Sequence, residues 1–170
     1  SECMNDTHSS IDLRSIPLVS PATLPEAVHN RFLGDVSEIV STSRYRLRAG
    51  HTDAATDLVS SEFNVPSGMR TILLRSGTDA LVRSLQLVET RPGERVLVPD
   101  QAFHAVASSV RAVGAEPVPV DINDDDLNMC ADALSVELGQ GTAAAVIAVD
   151  NYGTPCDWAA LSMIAHENGV

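Results

Sequence analysis

From Thr71 onward, short apolar runs alternate with amphipathic stretches, and this alternation restricts the fold more than any other feature of the chain. The runs at 71–75, 95–99, 117–121 and 143–150 are apolar enough to be buried on both faces, as the strands of a parallel sheet are. Helical spacing fills the intervals: Leu81, Leu85 and Val88 within 78–89, then Val106, Val110 and Val113 within 102–113, then further helices over 130–138 and 157–168. Parallel neighbours need crossover helices, so this order predicts an α/β fold of three layers, α/β/α, around a mainly parallel sheet. Gly114 ends the 102–113 helix, Pro92-Gly93 turns the chain into the 95–99 strand, and Asp157 caps the last helix.

Upstream of the sheet, Pro25 stands at a first helical position, and Val28, Phe32, Val36 and Ile39 follow at helical spacing, predicting a helix over 25–41. A basic loop over 44–48 leads to Gly50 and a second helix with Ala55, Leu58, Val59 and Phe63 on one face and Thr52 as its N-cap. Residues 1–17 are polar and without periodicity, and read as an N-terminal arm. Residues 18–170 then form one domain; a chain of 170 residues with 44% hydrophobic content can bury a substantial core.

Charge narrows the function. A formal charge of -12 argues against nucleic acid and anionic membrane surfaces as partners. There is no basic leader followed by an apolar segment, and no run of the ~18 apolar residues a membrane span needs, so a cytoplasmic location is expected. Cys3, Cys130 and Cys156 are odd in number and contain no Cys-x-x-Cys pair, which predicts free thiols rather than disulfides or a metal knuckle. All eleven Lys+Arg residues are arginine. Any mechanism that needs a lysine amine must therefore take it from another segment. The chain opens at Ser1 and closes on Gly169-Val170, a glycine and an apolar residue of the kind that introduces a strand, and reads as part of something longer.

Ligands of open parallel sheets bind beyond the carboxyl ends of the strands, so the loops there are where chemistry is expected. In Arg75-Ser76-Gly77-Thr78-Asp79-Ala80-Leu81 a run turns through glycine into a helix. Exposed amides and the Thr78 hydroxyl make a phosphate cradle, or Ser-Gly-Thr merely turns and caps. It is neither a Walker loop nor a Gly-x-Gly-x-x-Gly fingerprint. Phe103, after the next strand, either stacks on a planar ring or belongs to the core, and His104 beside it has no nucleophile motif to serve. Asp121 to Asp126 begins like a calcium loop but has Asp126 where glycine is required and Asp132 where the bidentate glutamate belongs, so it reads as a solvated acidic loop. Asp150 to Asp157 is a polar turn that either touches a ligand or simply feeds the capped helix. No catalytic residue and no metal site is assigned.

Taken in order, the segments carry a resemblance. They are Ile16-Pro17-Leu18 with Pro21, Gly50, Ser76-Gly77-Thr78-Asp79-Ala80-Leu81, Pro92-Gly93-Glu94 and Val96-Leu97-Val98-Pro99. They continue through Phe103, Gly114-Ala115-Glu116-Pro117-Val118, Val120-Asp121-Ile122, Leu127-Asn128, and Tyr152-Gly153 with Pro155 and Asp157. Over 16–170 the chain resembles the first half of the DegT/DnrJ/StrS family of pyridoxal-phosphate-dependent sugar aminotransferases.

The resemblance implies part of a fold-type I large domain. In it the amides around Gly77, Thr78 and Asp79 hold the cofactor phosphate, and Phe103 stacks on the pyridine ring. It implies transfer of an amino group to a keto-sugar or related ketone in sugar or secondary-metabolite biosynthesis, within a homo- or hetero-oligomer. The family's lysine that bonds the cofactor, its acid that pairs with the pyridinium nitrogen, and its smaller C-terminal domain all lie beyond Val170. The chain is thus expected to be the N-terminal portion or a split subunit, incompetent alone. Pyridoxal phosphate is expected only in the complete assembly with a C-terminal segment or companion subunit supplying Lys and Asp. The alternative is a non-catalytic aminotransferase-like binding or scaffolding module. Asp150 and Ala102 depart from the family, which often has His and Thr there.

Overall fold

The computed structural model describes residues 25–42 and 50–170, which fall into two units divided between Thr71 and Ile72. The arm over 1–17, the Ile16-Pro17-Leu18 opening and the basic loop over 44–48 lie outside the described residues. In the first unit, α1 (Glu26–Thr42) follows Pro25, whose carbonyl accepts from the amides of Val28 and His29. The second helix, α2 (Gly50–Glu62), begins before Thr52, which is therefore inside the helix and not its N-cap. The Thr52 carbonyl takes the Thr56 hydroxyl at 2.8 Å, a back-bond that hydroxyl side chains make inside helices.

In the second unit, α3 (Gly77–Leu87) leads to β1 (Arg95–Pro99), α4 (Ala105–Ala112), β2 (Glu116–Val120), α5 (Ala131–Gly139), β3 (Ala145–Val146) and α6 (Trp158–Glu167). The strands are ordered β2-β1-β3, all parallel, with Leu97 opposite both Val118 and Val146. Side chains alternate across β1 and divide the core in two. Leu97 packs with Val120, Met129, Leu134, Leu138 and Leu161 under α5 and α6. Val96 and Val98 pack with Leu85, Val106, Val110 and Ala115 under α3 and α4. The fold is the expected three-layer α/β/α arrangement.

Prolines set the limits of this sheet. Leu97 accepts from the Ile147 amide at 2.9 Å, and the next ladder amide on that side of β1 would be that of Pro99, which has none. The strand expected over 143–150 is accordingly paired only at Ala145–Val146. On the other side, Glu116 donates to Glu94 and Val120 accepts from Asp100, both at 2.8 Å, so the amide positions of Pro117 and Pro119 face away from β1. That outer edge lacks two donors, which suits proline to an edge strand.

The strand expected over 71–75 does not form. Ile72, Leu73 and Leu74 are exposed, and no strand among the described residues pairs with this run. An apolar run becomes a strand only where a neighbour supplies donors and acceptors. Gly93 and Gly114 join the helix ends to the sheet: the Gly93 amide donates to the Gly114 carbonyl at 2.9 Å. Gly114 has φ +81, and a Cβ there would meet the Pro92 Cβ at 3.2 Å, so glycine is required on both counts.

Candidate cofactor site

The first turn of α3 is built by Ser76. Its backbone is extended, its Oγ accepts from the Asp79 amide at 3.1 Å, and its carbonyl accepts from the Ala80 amide at 3.0 Å. Ser76 is thus the N-cap, as the turn-and-cap reading requires. Gly77 and Thr78 precede the first intrahelical bond, so their amides have no helical acceptor and point along the positive end of the helix dipole. A Cβ on Gly77 would meet nothing within 4 Å, so the space over this turn is open.

Asp79 lies between two guanidiniums, with Arg75 Nε at 3.7 Å and Arg83 Nε at 3.6 Å. At these distances, with both arginines exposed, the pairs add little stability, but they offset the charge of the carboxylate in the first turn. The carboxyl end of α3 leads through Pro92-Gly93 into the start of β1, and Leu85 packs with Val96 and Val98. The amino end of α3 therefore lies toward the end where β1 finishes.

Phe103 sits just beyond that finish. It is 69% exposed, which removes the core reading, and its ring stands 4.1 Å from the His104 ring at a tilt of 52°. His104 occupies the N-cap position of α4 without making a side-chain cap bond. Gly77, Thr78, Asp79 and Phe103 are thus carried by two segments, the start of α3 and the loop after β1, at the carboxyl end of the sheet.

The loops after β2 and β3 are occupied with internal bonding. The Asp126 carboxylate accepts from the Asn128 amide at 2.9 Å and from Asn123 Nδ2 at 3.1 Å, and these bonds hold its pKa below the usual carboxylate range. No cluster of potential metal ligands occurs among the described residues. Asp150 Oδ1 accepts from the Cys156 amide at 2.9 Å and from Trp158 Nε1 at 3.0 Å. The Cys156 amide is the larger cause of its lowered pKa. Burial, and then the neighbouring Asp150, push the Cys156 thiol up to about 11, and its Sγ donates to the Val149 carbonyl at 3.0 Å. Asp157 Oδ1 accepts from the Ala160 amide at 3.0 Å, the expected cap of α6.

Sequence reasoning took Asn151 only as one letter of the polar turn over 150–157, and Asn128 only as part of a resemblance. Both are buried, and they bond to each other and to carbonyls of neighbouring loops. Their signal is weak because a buried asparagine and a solvated one are the same letter in a polar loop.

The sequence model of the DegT/DnrJ/EryC1/StrS aminotransferase family matches residues 66–170, more than half of the chain. The chain belongs to that family. Among curated relatives, the UDP-N-acetyl-3-dehydro-alpha-D-glucosamine 3-aminotransferase of Acidithiobacillus ferrooxidans is 38% identical over 95 residues, which cover 56% of this chain and 26% of that protein. Among solved structures, a DegT DnrJ EryC1 StrS aminotransferase from Brucella abortus is 30% identical with a TM-score of 0.73, matching 84% of this chain and 39% of its own. Spr1654 of Streptococcus pneumoniae, in its PLP-form, is also 30% identical, with a TM-score of 0.70, and the match spans 89% of this chain and 36% of that one. The chain thus spans well under half the length of the family members it matches.

Proposed function

We propose that the chain is the N-terminal portion, or a split subunit, of a pyridoxal-phosphate-dependent aminotransferase acting on a keto-sugar or related ketone. The observation that carries this reading is the start of α3. Once Ser76 has taken the amides of Asp79 and Ala80, those of Gly77 and Thr78 remain, beneath open space at the positive end of a helix. Such a donor set suits a phosphate dianion. Asp79 would repel that anion, and Arg75 and Arg83 beside it reduce the repulsion. The exposed ring of Phe103 suits the flat heteroaromatic part of the same ligand.

The site therefore fits pyridoxal phosphate, which when bound supplies the electron sink for moving an amino group between carbons. This chain's own residues bind its phosphate and orient its ring. The substrate class is supported by the Acidithiobacillus ferrooxidans relative, whose name specifies a nucleotide-linked dehydro-sugar.

The chain carries no lysine, and an arginine guanidinium keeps its proton in proteins and cannot act as the reactive amine. A further segment or companion subunit supplies the lysine and the acid for the pyridinium nitrogen, in a cytoplasmic homo- or hetero-oligomer. The cofactor is retained only in that assembly. The same absence of lysine favours one second reading, a non-catalytic binding or scaffolding module. Co-expression with the lysine-bearing companion, followed by cofactor titration and a mass-spectrometric assay for amino-sugar product, separates the two. The assembly is expected to bind pyridoxal phosphate and aminate a nucleotide-linked keto-sugar, and the chain alone to do neither. An assembly that binds no cofactor overturns the enzyme reading.

A further inference from the structure

We infer that Asn151 is a positioning residue for the ring side of the cofactor site, joining with Asn128 the loops after all three strands into one rim; this rests on the cofactor reading above. Asn151 is 8% exposed and Asn128 1%. Asn151 Nδ2 donates to the Gln101 carbonyl at 3.0 Å and to the Leu127 carbonyl at 2.6 Å, which uses both of its side-chain protons. Its backbone amide donates to Asn128 Oδ1 at 2.9 Å, and Asn128 Nδ2 donates to the Thr154 carbonyl at 2.9 Å. Gln101 follows β1, Leu127 and Asn128 follow β2, and Asn151 and Thr154 follow β3.

A buried asparagine pair costs desolvation that an apolar pair would not, so its return has to be specific geometry. That geometry is visible at the surface on either side of Asn151. Tyr152 is held at φ 54, a left-handed conformation rare for a non-glycine residue, and is 85% exposed with its hydroxyl 3.4 Å from Gln101 Nε2. On the other side, the segment that bears Phe103 is fixed at three backbone points. The Asp100 amide donates to Val120, the Gln101 carbonyl accepts from Asn151, and the Phe103 carbonyl accepts from the Val106 amide at 2.9 Å. The Phe103 ring is exposed, so core packing does not orient it; what bears on its position is the anchored backbone beneath it and the tilted His104 ring at 4.1 Å. Of the three points, the one made by a side chain is Asn151.

The test separates ring from phosphate. Affinities for pyridoxamine phosphate, which needs no lysine, and for inorganic phosphate are measured by calorimetry on the complete assembly, as wild type, Asn151→Asp, Phe103→Leu and the double variant. Asn151→Asp removes both donors, and is expected to weaken pyridoxamine phosphate about tenfold while changing inorganic phosphate by less than about twofold. In the double variant the loss should not exceed that of Phe103→Leu alone, because Asn151 acts through Phe103. Should Asn151→Asp fail to fold, Asn151→Ser removes the same donors without adding charge and carries the same comparison. Equal losses for both ligands, or additive losses in the double variant, overturn the inference. A wild-type assembly that binds neither ligand overturns the cofactor reading itself, a result distinguishable from the first two.

Discussion

The backbone amide of Asn151 donates to the side-chain oxygen of Asn128 at 2.9 Å, joining the loop after β3 to the loop after β2 across 23 positions of sequence. Asn128 also donates to the Thr154 carbonyl, so truncating it removes two hydrogen bonds between these loops, while the Asn151 amide keeps its bond to the Val149 carbonyl at 3.0 Å. Asn128→Ala should therefore lower stability by about 1–2 kcal/mol in urea unfolding. A loss below about 0.5 kcal/mol would mean that water replaces both bonds without cost.

Acid should loosen the turn after β3. Hydrogen bonding to Asp150, chiefly from the Cys156 amide, lowers its pKa in the folded state. A carboxyl with a depressed folded pKa contributes stability that is present above its unfolded value of about 3.9 and is lost as pH falls through the folded value. Asp150→Asn retains an acceptor but does not titrate there. Thermal unfolding followed from pH 6 downward should show a shallower fall below about pH 4 in this variant than in wild type. Parallel curves would contradict the assignment.

The Cys156 thiol should be inert at neutral pH. With its pKa pushed up to about 11, chiefly by burial, its thiolate is scarce where an ordinary thiol near 8.5 already reacts. Labelling by a disulfide reagent at pH 8 should be about 100-fold slower at Cys156 in the folded chain than in the denatured chain. Above about pH 9 the unfolded thiol releases its proton before the folded one does, so this group withdraws stability as pH rises. Equal labelling rates in the folded and denatured chain would show that the thiol is open.

What could be read from the letters and what could not divides along physical lines. Asp157 was legible as a cap because capping is local chemistry, decided within three residues of sequence. The strands expected over 95–99 and 117–121 lie within a residue of β1 and β2, since a buried run bounded by turns is a strong signal. The run at 71–75 was misread because strand formation depends on a partner, which apolar letters do not specify. The run at 143–150 was read too long because its ladder is ended by Pro99 on the neighbouring strand. At the candidate site, the Ser76 turn was legible as a cap, which is again local chemistry. The exposure of Phe103 and the burial of Asn128 and Asn151 were not, because burial is a property of the assembled loops.

Without a lysine, the chain by itself should form no side-chain adduct with pyridoxal phosphate. Borohydride reduction of the mixture, proteolysis and mass analysis should find cofactor at most on the terminal amine of Ser1. An adduct on any side chain would show that another group can take the part of the lysine.

The Gly77 and Thr78 amides are proposed to cradle a phosphate, with the Asp79 amide taken by Ser76, while Phe103 covers the ring attached to it; cofactor affinity measured beside stability decides this. In the complete assembly, Thr78→Val should weaken pyridoxamine phosphate by about 1–2 kcal/mol, roughly five- to thirtyfold, by removing a hydroxyl and crowding the turn. Phe103→Ala should weaken it by about 1 kcal/mol or more through lost stacking, with thermal stability of the apo assembly nearly unchanged because the ring is already exposed. Unchanged affinity in both variants, with a loss of the ~3–5 kcal/mol that an aromatic core cavity costs in Phe103→Ala, would contradict the account.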